Sequence, residues 1–404
     1  MAISVRPCAD LAEYRGAASS IGQYFGVEWS DEQVERFVRN LPLDRMHAAR
    51  EDGSIVGGTG AFAFELSVPG GSLPCSGITV VGVYPTHRRR GVLTALMRAE
   101  LDAAHERGEP VSALWPSEAP IYGRFGYGLA AWCGEIEVPR ERAAFAQPLE
   151  HRGRVRLVEV DEAAEVFPPV WERVFAQRPG MFSRTPAWWE TRALFDPADR
   201  RRGGGPKRLV VVELGDAVDA YAVYRHYMSF EAGSSTSRLG VIEALGATPQ
   251  ATAELWRYLL DVDWVETITM ELLPPDHPLF LLLAHPRRAK YRVADGLWVR
   301  LVDVGTALSG RRYAADDRVV FEVTDEFCPW NAGRWRLEGG DAARCDDEPD
   351  LRVDVSALGS VFQGGVTFAQ LLAAGRVEEA REGAARRADA VFETDVHPWC
   401  PEIF

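Results

Sequence analysis

Lysine, paired cysteines and long apolar runs are all scarce in this chain of 404 residues. Its lysines are Lys207 and Lys290, whereas arginine is abundant, a bias that carries no functional weight. The cysteines form no CxxC pair, which argues against a zinc site or a disulfide framework and favours reduced thiols in the cytoplasm. The richest apolar run, residues 279–284, is short and lies next to proline, so we expect neither a signal peptide nor a membrane span.

The balance of charge is acidic, with a formal net charge of -14 at pH 7. Binding to phosphate backbones requires clustered positive charge, so nucleic acid is disfavoured as a partner, whereas cationic small molecules suit this surface. Hydrophobic residues make up 47% and charged residues 26%, which is ordinary for a globular protein. The length exceeds what one hydrophobic core usually organises, and we expect three domains.

The first third of the chain has the pattern of a sheet that carries one central helix. Apolar stretches on either side of Asp52-Gly53 predict a β-hairpin, and the β-branched run at residues 77–83 suits a buried strand. From Val92 apolar side chains recur at helical spacing until Gly108. Residues 111–115 predict another strand, and the glycine-rich loop IYGRFGYG follows it.

The second third repeats this order of elements between residues 154 and 302. The segment GVIEALGATPQATAELWRYLLD stands where VVGVYPTHRRRGVLTALMRAEL stands in the first third, but it lacks Arg-x-x-Gly. The last hundred residues predict short strands followed by helical segments, an α+β pattern. The ending DVHPWCPEIF contains apolar and aromatic groups right up to Phe404, so we expect a buried carboxyl terminus.

The turn between strand 77–83 and the helix that follows has the chemistry of a diphosphate site. A strand that enters a helix through a tight turn offers converging backbone N–H donors and the positive end of the helix dipole. The sequence RRRGVL matches the acetyltransferase pattern Q/R-x-x-G-x-G/A in its first four positions and departs from it at Leu93. Gly91 allows close backbone approach to phosphate. Taken alone, the turn is also compatible with a basic helix start on the surface.

Strand, turn and loop together carry a specific resemblance. VxVxPTHRRRGxLTALM and SExxIYGRFGYG resemble the Eis family of GNAT-type N-acetyltransferases, and the similarity covers the whole chain. It implies an α+β protein with tandem GNAT folds, each a mixed central sheet flanked by helices. The first, residues 1–150, would bind acetyl-CoA, and the second, residues 151–300, lacks the cofactor motif. Residues 301–404 would form a sterol-carrier-protein-like domain whose C-terminus enters the active site.

The resemblance also implies the chemistry and its residues. Acetyl-CoA would be the co-substrate, and no metal would take part. The acceptor would be a primary amine of an aminoglycoside or of another polyamine-like cation. The protein would be a homohexamer. Backbone at 81–83 would hold the acetyl and pantetheine arm, and 89–94 the pyrophosphate. The cofactor residues implied are Val81, Gly82, Val83, Arg88, Arg89, Arg90, Gly91, Val92, Leu93, Thr94, Ser117 and Glu118.

Acetyl transfer to an amine needs a base for the amine proton and an acid for the leaving thiolate. A tyrosine hydroxyl suits the acid, but spacing alone does not separate Tyr122 from Tyr127. The family match assigns the acid to Tyr122 and the base to the α-carboxylate of Phe404. A packed loop aromatic and a hydrophobic C-terminal plug are the structural alternatives for these two residues.

The substrate side of the site is less defined by the sequence. Glu28, Asp31 and Glu402 are candidates for attracting a cationic substrate, although most acidic residues are only solvated surface. Two other functions stay open at this point. One is transfer of acyl chains longer than acetyl, and the other is a lipid-binding or interaction protein that uses the sterol-carrier-like domain.

Overall fold

The computed structural model describes residues 3–404, which form an α+β protein as predicted. The strands are β1 Ser4–Pro7, β2 Met46–Glu51, β3 Ser54–Val68, β4 Gly71–Val83, β5 Val111–Leu114, β6 Gly128–Leu129, β7 Trp132–Pro139, β8 Arg154–Val158, β9 Arg208–Leu214, β10 Ala217–Tyr227, β11 Phe230–Glu231, β12 Ser234–Ser235, β13 Arg238–Gly246, β14 Thr267–Leu273, β15 Arg292–Asp295, β16 Trp298–Leu301, β17 Val319–Thr324, β18 Gly333–Glu338, β19 Asp341–Arg344, β20 Leu351–Asp354 and β21 Val377–Glu379.

The α-helices are interspersed among these strands. They are α1 Leu11–Phe25, α2 Asp31–Val38, α3 Val92–Glu106, α4 Ala119–Tyr122, α5 Val160–Phe175, α6 Pro186–Trp188, α7 Pro249–Asp261, α8 Leu279–Leu282, α9 Val304–Ser309, α10 Val355–Val361, α11 Phe368–Ala373 and α12 Ala384–Phe392. In the part of the chain that the structure describes, no helix combines the length and the apolar character that crossing a membrane requires.

The first sheet is mixed, with the strand order β1-β2-β3-β4-β5-β16-β6. The predicted hairpin is present: β2 and β3 meet at Asp52 and Gly53, which both have positive φ (51° and 81°), as a tight hairpin turn requires. Helix α3 packs on one face, where Met97 and Leu101 join Ile78 in a buried cluster. This apolar stripe is the one that the helical spacing after Val92 predicts.

The second sheet repeats the first strand by strand. Its order, β8-β9-β10-β13-β14-β7-β15, places β13 and β14 at the positions that β4 and β5 occupy in the first sheet. Helix α7 follows β13 as α3 follows β4. The tandem fold predicted from the sequence is therefore confirmed.

The two sheets differ from a simple tandem repeat in their sixth strands. Strand β7 precedes residue 150 in the chain, yet it pairs antiparallel with β14 of the second sheet. Strand β16 follows the second sheet in the chain and pairs antiparallel with β5 of the first sheet. Each sheet is thus completed by a strand that lies outside its own run of sequence, and local pattern does not predict such an exchange.

The third sheet has the order β19-β18-β17-β20-β21 and is covered by helices that include α11 and α12. The ring of Phe368 stacks on that of Phe321, with centroids 5.6 Å apart, and Phe392 packs edge-on against both. The chain divides into two compact units. One contains the chain up to Ala131, Leu297–Asp395 and Ile403–Phe404, and the other contains Trp132–Gly296 and Val396–Glu402.

Candidate active site

A β-bulge near the end of β4 opens the first sheet. Val80 and Val81 of β4 together face the single residue Thr59 of β3, and Val80 has a positive φ of 47°. A β-branched residue in this conformation is strained, and such strain is concentrated at functional sites. Strand β4 pairs in parallel with β5 only as far as Gly77. The last residues of β4 are therefore released from β5.

Helix α1 forms a wall beside this opening. The hydroxyl of Ser20 donates a hydrogen bond to the carbonyl oxygen of Gly82 (3.0 Å), and that of Tyr24 donates to Val83 (2.7 Å). A Cβ atom at Gly82 would lie 2.4 Å from the backbone nitrogen of Ile21. Only glycine therefore allows the helix to pack this closely on the bulged strand.

The arginine turn then leads into α3. Arg89 (φ 60°) and Gly91 (φ 84°) both adopt the left-handed conformation, and α3 begins at Val92 without a side-chain cap. The first N–H groups of a helix have no partner within it, and the helix dipole makes this end positive. A cradle of this kind at the start of a helix of 15 residues suits a diphosphate.

Bulge, turn and tyrosine loop line one cleft of about 680 Å³. The predicted residues that line it are Val81, Gly82, Val83, Arg88, Arg89, Gly91, Val92, Leu93, Thr94, Ser117, Glu118 and Tyr122. Its lining does not include Arg90, whose guanidinium donates a hydrogen bond to Glu51 (2.7 Å). Two of the three arginines of the turn therefore face the cleft, and the third ties the turn to β2.

The structure separates the two tyrosines of the loop by their surroundings. Tyr122 lines the cleft with 7% of its surface exposed, and burial, followed by the nearby Glu118 carboxylate, raises its pKa to about 12. Tyr127 is fully buried, and its hydroxyl lies 2.7 Å from that of Ser112. Ser112 in turn donates to the carbonyl oxygen of Ser76, so Tyr127 is the donor in that pair. Tyr122 is the tyrosine of this loop that faces the cleft.

Phe404 lies on the opposite face of β4 from Tyr122. Its ring packs edge-on against that of Phe64, with centroids 5.0 Å apart. A Cβ atom at Gly77 would come within 3.3 Å of the Phe404 ring, whereas the neighbouring Ile78 packs with Tyr122. Successive side chains of a strand point to opposite faces, so the bulged strand separates the two predicted catalytic residues. Because Gly77 has no side chain, the Phe404 ring has room to pack against this face of β4.

Burial of the chain's ending is only partial. Pro398, Trp399, Cys400 and Pro401 are buried as predicted, but Ile403 is 54% exposed and Phe404 is half-buried. The terminal residue is therefore less buried than expected, and the residues before Glu402 are more buried than it is.

Three segments of the chain match known domain families. Residues 5–130 and residues 180–301 each match an acetyltransferase (GNAT) domain, and residues 304–401 match a sterol carrier protein domain. The matches follow the order predicted for the tandem folds and the C-terminal domain.

Relatives match over nearly the whole length. The N-acetyltransferase Eis of Mycobacterium tuberculosis is 35% identical over 398 residues, which cover 94% of this chain and 93% of that protein. The chain belongs to the Eis family of N-acetyltransferases. An uncharacterized N-acetyltransferase of Streptomyces coelicolor is 39% identical over 396 residues, 96% of each chain. The crystal structure of Eis1 from Mycobacterium abscessus has a TM-score of 0.88 at 34% identity, covering 99% of this chain and 100% of that chain.

As an Eis-family member the protein is an acetyltransferase, and its GNAT fold implies acetyl-CoA as co-substrate. The cleft fits that molecule, because it combines an uncapped helix start, two arginines and bulged strand backbone. Among residues 3–404, no three His, Cys, Asp or Glu side chains are grouped so that they could hold a metal ion.

Sequence reasoning missed a residue that supports the tyrosine loop of this Eis-family protein. Arg300 of β16 is fully buried and donates to the carbonyl oxygen of Phe125 (2.7 Å) and to Asp325 (2.7 Å). A Cβ atom at Gly126 (φ 83°) would overlap the Arg300 guanidinium, so that glycine makes room for it. Nothing in the local sequence around Arg300 indicates this role, because the exchanged strand brings it to the loop.

Helix α1 was missed as well, although a signal for it exists. Asp10 accepts a hydrogen bond from the backbone of Glu13 and caps the helix, and Gly26 ends it with a positive φ of 64°. This is a regular start and stop pattern. Its last turn places Tyr24 and Phe25 on the wall of the cleft.

The acidic residues proposed to attract a cationic substrate fall into different surroundings. Glu28 is exposed, whereas Asp31 forms an ion pair with Arg15. Glu402 accepts hydrogen bonds from Arg184 (2.6 Å) and from the indole of Trp188 (3.0 Å). Its carboxylate thus has protein partners, and a role for Glu402 in attracting the substrate stays a prediction.

Proposed function

We propose that this protein transfers the acetyl group of acetyl-CoA directly to primary amines of cationic small molecules such as aminoglycosides or polyamines. The observation that carries the proposal is the position of Tyr122 on the wall of a cleft whose other wall is the bulged strand and the start of α3. In the reaction, the amine nitrogen attacks the thioester carbonyl, the C–N bond forms and the C–S bond breaks. The amine proton goes to a base, and the thiolate receives a proton.

The cofactor-binding part of the proposal uses backbone and charge. The released backbone of residues 81–83 holds the acetyl and pantetheine arm, since it no longer pairs with β5. The N–H groups at the start of α3 and the side chains of Arg88 and Arg89 hold the pyrophosphate. Ser117 and Glu118, which also line the cleft, add further contacts.

Tyr122 serves as the general acid in this proposal. A pKa of about 12 keeps its phenol protonated at neutral pH, so a donor is present in every turnover. The raised pKa also weakens the driving force for complete proton release. The main contribution of the hydroxyl is therefore a strengthening hydrogen bond to the thiolate as its charge develops.

The α-carboxylate of Phe404 serves as the general base. A terminal carboxylate has an ordinary pKa of roughly 3.5 and is ionised at neutral pH. Packing of the Phe404 ring against Phe64 and beside Gly77 supports this role, because Gly77 belongs to β4, the strand that borders the opening. Acid and base then approach the thioester from opposite faces of β4.

The remaining parts of the proposal come from the family resemblance and the composition. We propose a homohexamer, a cytoplasmic location, three domains in the order predicted from the sequence, and Glu28 as a contact for the positively charged acceptor. The net charge of -14 supports recruitment of a cation. Packing of Phe321, Phe368 and Phe392 inside the third sheet favours a structural role for the sterol-carrier-like domain over lipid transport.

The test measures thiol release from acetyl-CoA with a panel of aminoglycosides and polyamines, for the full chain and for a chain that lacks Phe404. We expect the full chain to turn over, and the shortened chain to bind acetyl-CoA with unchanged affinity but to lose most of its rate. Equal rates for both chains would remove the terminal carboxylate from the mechanism. A preference for long-chain thioesters over acetyl-CoA would contradict the proposed acyl donor.

A further inference from the structure

The second fold contains the same opening in its sheet as the first. Strands β13 and β14 pair in parallel from Arg238 to Val241 of β13, and beyond that point their pairing ends. Strand β13 also carries a bulge, in which Ile242 is the extra residue relative to β10. In the first sheet, the same two features, a bulge in β4 and the end of its pairing with β5, release the backbone of the strand. The second fold thus retains the shape of a cofactor opening although its turn lacks Arg-x-x-Gly.

The chain's own ending occupies this opening. Trp399 donates its indole N–H to the carbonyl oxygen of Leu272 in β14, and its backbone N–H to Pro179 (2.8 Å). Trp399 is 4% exposed and belongs to the hydrophobic core of the second sheet. A Cβ atom at Gly180 (φ 94°) would lie 2.9 Å from the Trp399 nitrogen, so this glycine permits the close approach.

A buried ion pair links the C-terminal segment to strand β13. Arg184, with 1% of its side chain exposed, donates to Glu243 of β13 (3.0 Å) and to Glu402 (2.6 Å). The guanidinium lies over the rings of Trp171 (3.5 Å) and Trp189 (4.7 Å). Charge-assisted hydrogen bonds of a guanidinium held between aromatic rings are strong and directional. The carboxylate of Glu402 is therefore held in one position.

We propose that the second fold has become an anchor site for the C-terminal segment, and that Arg184 and Glu402 are positioning residues for the terminal carboxylate. The anchor site contains Pro179, Arg184, Trp188 and Leu272, which form hydrogen bonds with this segment, and Glu243, which holds Arg184. Its role in catalysis rests on the proposed function, in which the carboxylate of Phe404 is the base.

The need for an anchor follows from the chain itself. Only Ile403 separates Glu402 from Phe404, and two residues span at most about 7 Å. Chain ends that nothing holds are poorly ordered, and a base that samples many positions is rarely in place for proton transfer. Glu402, two residues before Phe404, is held by hydrogen bonds from Arg184 and Trp188.

The first experiment tests how firmly the anchor site holds the C-terminal segment, and it does not depend on enzyme activity. Full-length protein is treated with carboxypeptidase Y under native conditions, and loss of Phe404 is followed by mass spectrometry. We expect trimming at least about tenfold faster for Glu402→Ala than for the parent, with Glu402→Gln in between, because glutamine keeps an acceptor and loses the charge. Glu393→Gln, an exposed acidic residue earlier in the chain, should match the parent. Equal trimming rates for all four proteins would overturn the anchor.

The second experiment separates positioning from substrate binding. We expect Glu402→Gln to lower kcat about tenfold while the KM for the amine and the Kd for acetyl-CoA change less than about twofold. Arg184→Lys should give the same pattern from the other side of the ion pair, provided that its circular dichroism and melting temperature show a folded protein. A raised amine KM with unchanged kcat would instead make Glu402 a substrate contact and overturn the positioning role.

The two proposals fail in different ways. If the chain lacking Phe404 keeps full activity, the proposed base is wrong, yet trimming by carboxypeptidase still reports whether the anchor holds the ending. If activity requires Phe404 but the rate at which carboxypeptidase removes it is the same in the Glu402 variants as in the parent, the anchor is wrong and the proposed base stands.

Discussion

Replacing Tyr122 by phenylalanine removes one hydroxyl group and keeps the aromatic ring. That ring is 7% exposed and packs in the cluster that contains Ala61, Ile78 and Tyr127. The substitution leaves these contacts in place, so we expect the free energy of unfolding to change by less than about 1 kcal/mol. Binding of acetyl-CoA should also persist, because the backbone of β4 and the start of α3 do not depend on this hydroxyl.

The rate should respond much more strongly than the stability. A pKa of about 12 means that the phenol is protonated at any assay pH between 6 and 9, so the variant loses a fully populated donor. Positioned acids contribute about a hundredfold to ten-thousandfold, or about 3 to 5 kcal/mol of activation free energy. We therefore expect kcat for thiol release to fall at least about a hundredfold, with the Kd for acetyl-CoA within about twofold of the parent.

Tyr127→Phe is the matched control for this measurement. Its hydroxyl donates to Ser112, whose own proton is already given to the carbonyl oxygen of Ser76. We expect a loss of about 1 kcal/mol in stability and little change in kcat. An unchanged kcat for Tyr122→Phe, or an equal loss in both variants, would refute the assignment of the acid.

Three further predictions test the turn, the loop support and the response to acid. Gly91→Ala keeps open space around the new methyl group but must hold a φ of 84°, so we expect about tenfold weaker acetyl-CoA binding by calorimetry; unchanged affinity would contradict the cradle. Arg300→Lys should lower kcat, because it loosens the turn after Tyr122. If the two residues act as a unit, the double variant with Tyr122→Phe should lose little more kcat than Tyr122→Phe alone. Fully additive losses in activation free energy would argue for a purely structural arginine. Burial lowers the pKa of His277 from 6.5 to about 3, so between these pH values the unfolded chain binds more protons than the folded chain. The free energy of unfolding should therefore fall as pH falls from 6.5 to 3. In urea titrations His277→Gln should reduce this pH dependence, and an unaltered dependence would exclude His277 as its cause.

The strand, turn and helix start that line the cleft were predictable because their signals are local. The strand at residues 77–83, the RRRG turn and the helix after Val92 are adjacent in the chain, and their spacing alone fixes how they meet. The left-handed φ of Gly91 is the conformation that a glycine at such a turn indicates. Arg90 could not be separated from its neighbours by spacing, since its orientation depends on Glu51 of another strand.

Residues that come from distant parts of the chain could not be predicted in the same way. Arg300 reaches the tyrosine loop because β16 completes the first sheet, and that exchange leaves no trace in local periodicity. Glu402 has the sequence signature of any acidic residue near a terminus. Its partner Arg184 lies more than two hundred residues earlier in the chain. The number of possible long-range pairs is too large for one sequence to select among them.

The sequence by itself determined the class of this protein: an α+β chain with tandem folds, an Arg-x-x-Gly turn in the first fold and no such turn in the second. It did so because hydrophobic period and turn chemistry act between residues close in the chain. Only the tertiary structure decided which tyrosine faces the cleft, which arginine supports its loop and what fills the second opening. Those choices depend on burial and on charges that meet across the chain, and both exist only once the chain is folded.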